Sequence, residues 1–490
     1  MVNNPTNKLK RAINDRGPAM LGLDPAPEQS VDEIIAKIDA ARDQVCGFKP
    51  NRKFYPSDQK LKIVTDYIHQ ACPEHALVVD EKATDIGNTI RNHVLNVKKD
   101  FNPDFVTVCP YVGPLSVIKA YTDADIGVFS MVANSNSDAW VTQNGWFGGM
   151  AGKMPKMEDG YNPKKIAGGI KYYQYMALRA LEINPEMVHL VLGCNMPEQI
   201  MYTRAVLMEY GYSLDNMPFM LLPGSYSQEG SDPFVAAMLS GNNSVFPASR
   251  AGDKVAQLRE DVTAGLKEYN PLSLRDIVMN NVIDEKLFDL VASPDKPITL
   301  KSEKKSFYYA NMRQMQAYAE WSPYASHLMA KRVLEKFPDA TAIAYVPDGA
   351  NNIAIQSTMF LGMAPLTIRP PSEEEKKHGK GGRFIGPKKG KLVILDDTGT
   401  TGGSLKTAAQ AAIAAGYEVI GCIVVVDRKE GAEQVLDEMG GLSVEHIYTA
   451  EELLSRIADE SHPTWNSAWE EIERNKRELA EQYPNYQTQH

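Results

Sequence analysis

The sequence predicts an α/β protein in two parts, a TIM (β/α)8 barrel followed by an open α/β sheet. Short apolar runs at 19–23, 45–48, 76–79, 105–108, 126–132, 188–192, 219–222 and 244–246 alternate with helical patterns. Eight such strands in about 250 residues is the count and size of a barrel. A doubly wound open sheet allows the same alternation, so the placement of polar residues decides. The runs end in Asp24, in Lys49, in Asp80 and Lys82, in Ser135-Asn136, in Gln228 beyond Pro223-Gly224, and in Ser249-Arg250. Singly, each reads as a turn former, a snorkelling edge lysine or a surface charge. A barrel would bring all of them to one mouth. After a helical pattern at 253–268 comes Tyr269-Asn270-Pro271, a domain break, and a further helical stretch at 273–290. The period then changes. Strands at 307–309, 342–346, 366–368, 391–395 and 419–426, with helices at 323–336 and 404–415, describe an open sheet.

At 490 residues the chain exceeds one ordinary core. No apolar run reaches the roughly 18 residues of a membrane span, and the first residues lack the apolar core of a secretory signal. The net charge of −10 argues against a nucleic-acid binder, because phosphate backbones are held by excess Lys and Arg. Cys46, Cys72, Cys109, Cys194 and Cys422 lack metal-ligand spacing, and their odd number argues against a disulfide framework. A cytoplasmic enzyme that meets phosphate with a few placed groups is the expectation.

The barrel is organised around residues 76–89, ALVVDEKATDIGNT. Its apolar run has strand character and stops at Asp80, with Lys82 two residues on and Asp85 three beyond. Two carboxylates are tolerable together when an ammonium lies between them, and such an ammonium is held charged as a proton donor. The loops after the seventh and eighth strands, where barrels commonly bind phosphate, carry Gln228, Ser249 and Arg250.

Residues 18–255 resemble orotidine 5′-phosphate decarboxylase. The resemblance rests on Gly22-Leu23-Asp24-Pro25, Phe48-Lys49-Pro50, Asp80-x-Lys82-x-x-Asp85-Ile86-Gly87-Asn88-Thr89, Val106-Thr107-Val108-x-Pro110-Tyr111, Ser135-Asn136, Pro223-Gly224-x-x-x-Gln228 and Ser249-Arg250. It implies that Lys49, Asp80, Lys82 and Asp85 form an alternating charge network, with Asp85 reaching across a dimer interface. Lys82 would protonate C6 of the pyrimidine, Asp24 and Thr89 would hold ribose hydroxyls, Ser135 the pyrimidine, and Gln228 with Arg250 the phosphate, beside Asn136 and Ser249. No cofactor is implied for this step. Glu229-Gly230 stands where the family usually has two glycines.

In the second part, an apolar strand at 392–395 runs into Asp396-Asp397-Thr398-Gly399-Thr400-Thr401-Gly402-Gly403-Ser404 and a helix. Glycine-freed N–H groups, Thr hydroxyls and a helix N-terminus make a phosphate nest, and the two acids can hold ribose hydroxyls or metal-bound water. The element resembles the phosphoribosyl pyrophosphate (PRPP) signature of type I phosphoribosyltransferases. Residues 272–455 are similar to orotate phosphoribosyltransferase through Leu300-Lys301-Ser302, Phe307-Tyr308-Tyr309, Val346-Pro347-x-Gly349-Ala350, Lys376-x-His378-Gly379 with Gly386, and Asp427-Arg428-x-Glu430-Gly431. The resemblance casts Asp396 and Asp397 at the ribose, Thr400, Thr401, Gly402, Gly403 and Ser404 around the 5′-phosphate, and Lys301 and Arg428 at orotate, near Tyr308 and Tyr309. Lys376 and His378 would act from a loop closing on a neighbouring subunit. Mg2+ is implied, carried by PRPP near Asp396 and Asp397 with no direct protein ligand. Ser372-Glu373 replaces the family's Arg-Lys pair, with Arg369 as a substitute; Glu303 and Asp348 are further departures.

The expected division is a barrel at 1–268, a transferase domain at 272–460 and a charged tail at 461–490. Together the resemblances imply a bifunctional UMP synthase, decarboxylase first, that self-associates and handles orotate, PRPP, orotidine 5′-phosphate and UMP without nucleic acid or membrane. Two alternatives fit the same residues: a decarboxylase with an inactive nucleotide-sensing or oligomerising module, and a phosphoribosyltransferase for another base.

Overall fold

The computed structural model of the protein describes residues 4–85, 87–134, 139–149, 165–249, 252–300, 303–347, 349–368, 384–457 and 459–484. The chain forms two compact units, residues 1–145 with 171–274 and residues 146–170 with 275–490. The sequence places the break at 269–271 and reads 461–490 as a separate tail. The structure instead assigns the excursion 146–170 and the C-terminal helix to the second unit.

In the first unit eight parallel strands close into a barrel: β1 (Ala19–Leu23), β2 (Gly47–Pro50), β3 (Ala76–Ala83), β4 (Phe105–Val108), β5 (Gly127–Met131), β6 (Val188–Val191), β7 (Met220–Leu221) and β8 (Ser244–Ala248). β1 pairs with both β2 and β8, which closes the cylinder. Local chemistry starts the flanking helices. Ser30 and Glu33 form a reciprocal capping box at the helix Val31–Ala41, satisfying two N–H donors that the first turn leaves over. The helix Pro5–Arg16 begins with Asn4 accepting from Thr6 N–H and Pro at its first position. Its Leu9 and Ala12 join Met20, Ala76, Phe105, Phe129 and Phe219 in the core at the starts of the strands.

His189, on β6, lies in that core among the rings of Phe105, Phe129 and Phe219, at centroid distances of 5.6, 5.4 and 5.2 Å. Its protonation follows from its partners. Phe219 N–H can only donate, so Nδ1 accepts at 3.3 Å. Thr6 Oγ1 donates to the Glu186 carbonyl at 2.6 Å and accepts from Nε2–H at 2.9 Å. The ring is neutral, and burial pushes its pKa down to about 3.

The second unit is built on a six-stranded sheet of order β15-β14-β13-β16-β17-β18, from β13 (Ala342–Tyr345), β14 (Ala364–Ile368), β15 (Phe384–Ile385), β16 (Lys391–Gly399), β17 (Glu418–Asp427) and β18 (Val444–Thr449). Only the edge pairing β14–β15 is antiparallel. Two small sheets precede it: β9 (Phe288–Leu290) with β12 (Tyr308–Ala310), and β10 (Ile298–Thr299) with β11 (Lys305–Ser306). The helical reading of 273–290 is corrected here, since the helix Leu274–Asp284 stops and Phe288–Leu290 is a strand paired to Tyr308–Ala310. The excursion is held by Gly168 N–H to Phe360 O at 2.8 Å and by His327 Nδ1–H to Gly168 O at 2.8 Å. Burial lowers the His327 pKa to about 4. Among the described residues, no helix is long and apolar enough to cross a membrane.

The neutral imidazole of His189 makes stability depend on acidity. Its folded pKa lies below the ordinary 6.5, so the unfolded chain takes up a proton that the fold refuses. The contribution is complete above about pH 6.5 and is lost as pH falls towards about 3, at up to about 1.4 kcal/mol per pH unit. Urea unfolding of His189→Gln between pH 7 and pH 5 should show a smaller loss than that of the unaltered protein. Equal losses would assign the acid sensitivity elsewhere.

Candidate active sites

In the barrel, the carboxyl ends of the strands carry charge into a cavity of about 350 Å³. β2 supplies Lys49, β3 supplies Asp80 and Lys82, and β4 supplies Thr107. Asp80 Oδ2 accepts from Lys49 Nζ at 2.5 Å, and its Oδ1 accepts from Lys82 Nζ at 2.7 Å and Thr107 Oγ1 at 2.8 Å. Thr107 Oγ1 in turn accepts from Lys82 N–H at 2.9 Å. Burial would raise the Asp80 carboxyl, but the ammoniums of Lys49 and Lys82 outweigh it and hold the group well below the usual carboxylate range. The strand does not stop at Asp80 as the hydrophobic run suggests. It continues through a register shift between Val79 and Ala83, where Lys82 takes φ +51°. A non-glycine residue there is strained by about 1 kcal/mol or more, a cost found mostly at functional sites.

Asp24, Gln228 and Ser249 line the same cavity. Gly22 makes room for Ser249, because a Cβ on it would lie 2.1 Å from Ser249 Oγ. Asp85 and Thr89 are exposed in the single chain. Ser135, Asn136 and Arg250 lie outside the described residues. Thr107 and Asn51 were missed as site residues by the sequence reading. Thr107 stands inside a quoted motif, and Asn51 bridges to Asp80 one strand away.

In the second unit, β16 carries Asp396 and Asp397 within its last residues, since pairing with β17 continues to Gly399. The expected strand end at Leu395 is thus corrected: the acids are strand residues, both buried. A Cβ on Gly349 would lie 2.7 Å from Asp397 Oδ1, so glycine there leaves the carboxylates their space. Arg313 Nε stands 3.7 Å from Asp397 Oδ2, another residue the sequence reading missed. Thr400 and Thr401 lead to Gly402, in left-handed conformation at φ +78°, and to the helix Gly403–Ala414, with Gly403 and Ser404 exposed at its start. Gly402 brings no side chain to cap that helix, so its first N–H groups remain for an anion.

Arg428 does not stand at an open surface. Its guanidinium lies 4.2 Å over the Tyr308 ring and donates through Nε to Glu430 at 2.6 Å and through Nη2 to Ser306 Oγ at 2.8 Å and Glu471 at 3.0 Å. Both carboxylates are buried with it. Tyr308 is also fully buried, whereas Tyr309 is partly exposed. Burial raises the Glu471 carboxyl above its ordinary value, against its hydrogen bonds from Phe307 and Ser306 and the charge of Arg428. Lys301, Arg369, Lys376 and His378 lie outside the described residues. Among the described residues, no cluster of three or more His, Cys, Asp or Glu could hold a metal ion.

The ion cluster in the barrel separates a residue that stability needs from one it does not. Asp80→Ala leaves Lys49 buried and unpaired and should cost about 3–5 kcal/mol. Lys82, with 35% of its side chain exposed, should cost under about 1 kcal/mol as Lys82→Ala. Urea titrations of the two variants check the contrast, and equal losses would contradict this geometry.

Residues 18–152 match the family model for the orotidine 5′-phosphate decarboxylase / HUMPS family. Orotate phosphoribosyltransferase of Methanopyrus kandleri is 33% identical over 179 residues, which are 36% of this chain and 93% of that protein. Orotidine 5′-phosphate decarboxylase of Ralstonia pickettii is 28% identical over 226 residues, 43% of this chain and 73% of that protein. Among solved structures, the UMP synthase of Leishmania donovani covers 94% of this chain and 98% of its own, at 20% identity and a TM-score of 0.45. With a third of its positions shared over nearly the whole length of the Methanopyrus protein, the chain belongs to the orotate phosphoribosyltransferase family, carrying in addition a match to the decarboxylase family in its first part.

Proposed function

We propose that this chain makes UMP from orotate in two steps, the C-terminal unit joining orotate to PRPP and the N-terminal barrel decarboxylating the product. The observation that carries the reading is the Lys49–Asp80–Lys82 array at the mouth of the barrel, built on the buried Asp80. As the C6–carboxylate bond of orotidine 5′-phosphate breaks, its electron pair stays on C6 and carbon dioxide leaves. Lys82 then delivers a proton to C6. A fixed ammonium favours that developing carbanion more than the neutral ring of the ground state, which is what accelerates the step. Asp80 holds both ammoniums in place, and Thr107 fixes the strained turn that aims Lys82. Gln228, Ser249 and Arg250 would grip the phosphate, and Asp24 with Thr89 the ribose. Asp85 would complete the array from a second copy of the chain.

In the other unit, N1 of orotate displaces diphosphate from C1′ of PRPP and gives up its proton, which leaves with the diphosphate. The loop 400–404 and its helix N-terminus would hold the 5′-phosphate, Asp396 and Asp397 the ribose hydroxyls, and Lys301 and Arg428 the orotate. Lys376, His378 and Arg369 would meet the diphosphate. The two adjacent buried acids fit a substrate-borne Mg2+ held through water, and that ion would neutralise the leaving diphosphate. A second reading, a decarboxylase with a silent second unit, draws on Ser372-Glu373 and on the two carboxylates already paired with Arg428.

Incubation with orotate, PRPP and Mg2+, with chromatographic separation of the products, should yield UMP. Conversion of added orotidine 5′-phosphate without consumption of orotate would leave only the second reading. Lys82→Ala should stop the reaction at orotidine 5′-phosphate, and a near-normal rate in that variant would remove Lys82 from its role.

A further inference from the structure

We infer that Glu471, on the C-terminal helix Trp465–Gln482, is a positioning residue for base recognition through Arg428; the inference rests on the transferase reading above. Arg428 has five N–H donors. Three are taken: Nε–H by Glu430, and the two on Nη2 by Ser306 Oγ and Glu471 Oε1. The guanidinium carbon lies 4.2 Å from the centroid of the Tyr308 ring, a cation–π contact that adds to these bonds in holding the group. Among the described residues nothing takes the two hydrogens of Nη1. The cluster therefore leaves the Nη1 amino group, held in place by its partners, to an acceptor, a carbonyl or carboxylate oxygen of an anionic pyrimidine.

Glu471 is the part of this cluster that comes from outside the sheet and its adjoining strands. Its second oxygen accepts from Phe307 N–H at 2.8 Å, just ahead of β12. One carboxylate thus ties the guanidinium to the backbone of the segment that carries Tyr308 and Tyr309. Further contacts seat the helix. Lys304 pairs with Glu478 at 2.9 Å beside the β10–β11 hairpin, and Thr464 Oγ1 donates to Val291 O at 2.7 Å just after β9. Within the expected charged tail, the helix Trp465–Gln482 acquires this role: it holds the elements assigned to the base in register with the end of β17.

The test uses the full chain, with turnover of added orotidine 5′-phosphate as the internal measure of active protein. Glu471→Ala should raise the KM for orotate by about tenfold while the KM for PRPP stays unchanged. Glu471→Gln keeps one acceptor oxygen and sets an NH2 donor against either Arg428 or Phe307 N–H, so it should also raise the KM for orotate, by less than the Ala variant. An unchanged KM for orotate in both variants overturns the inference, as does a fall in kcat alone that tracks a lowered melting temperature. Should the Ala variant be insoluble, the KM of the Gln variant decides, a rise supporting the role and an unchanged value refuting it. Absence of transfer in the unaltered protein would refute the transferase reading itself, an outcome separate from wild-type transfer that Glu471 does not affect.

Discussion

The barrel's chemistry depends on one buried carboxylate. Asp80 is 5% exposed, yet three donors converge on it from three neighbouring strands. An ionised carboxylate in such a place is tolerated because Lys49 and Lys82 neutralise it. Closure of the sheet is what makes the arrangement available. Parallel pairing sets β2, β3 and β4 side by side with their carboxyl ends together, so residues separated by about one βα unit in sequence become hydrogen-bonding neighbours.

The second unit solves a related problem with a different balance. Asp396 and Asp397 end a buried central strand and have space about them because residue 349 is glycine. Their neighbour in the next strand register is not a cation. The cation of that end, Arg428, is matched against Glu430 and Glu471 instead, two buried carboxylates to one guanidinium. Removing either carboxylate changes the charge of a site with little water to compensate. The arginine is thereby stiffened.

Much of this was legible because it is local. The eight apolar runs gave the barrel strands nearly residue by residue, and their polar ends named Lys49, Asp80 and Lys82. Strand ends were misjudged where a charged residue is paired inside the fold. The apolar criterion halts at Asp80 and at Asp396, whereas the strands run on to Ala83 and Gly399. β18, VEHIYT, was overlooked since an edge strand alternates polar residues with apolar ones. β9 was absorbed into a helical pattern because a run of three residues has too little period to speak for itself. Thr107 and Glu471 were illegible as site residues for a further reason: their partners are 27 and 43 positions away in sequence, and nothing in a short hydroxyl or a helical glutamate announces them.

The division of the chain was hidden by the same non-locality. The units part between Leu274 and Arg275, a few residues beyond the composition break at Tyr269-Asn270-Pro271. The earlier crossings, at 145/146 and 170/171, leave no comparable mark. Residues 146–149 and 165–170 are rich in glycine, which a sequence reading takes for loop, and their purpose shows only in three dimensions: Gly168 offers both its N–H and its carbonyl to the second unit, to Phe360 and His327. His327 is fully buried and its bond to that carbonyl spans 159 positions, so the contact is made only after both segments are in place. The second unit is therefore completed by chain that lies within the sequence of the first, and the boundary at 274 is where the chain divides without being where the two folds become independent.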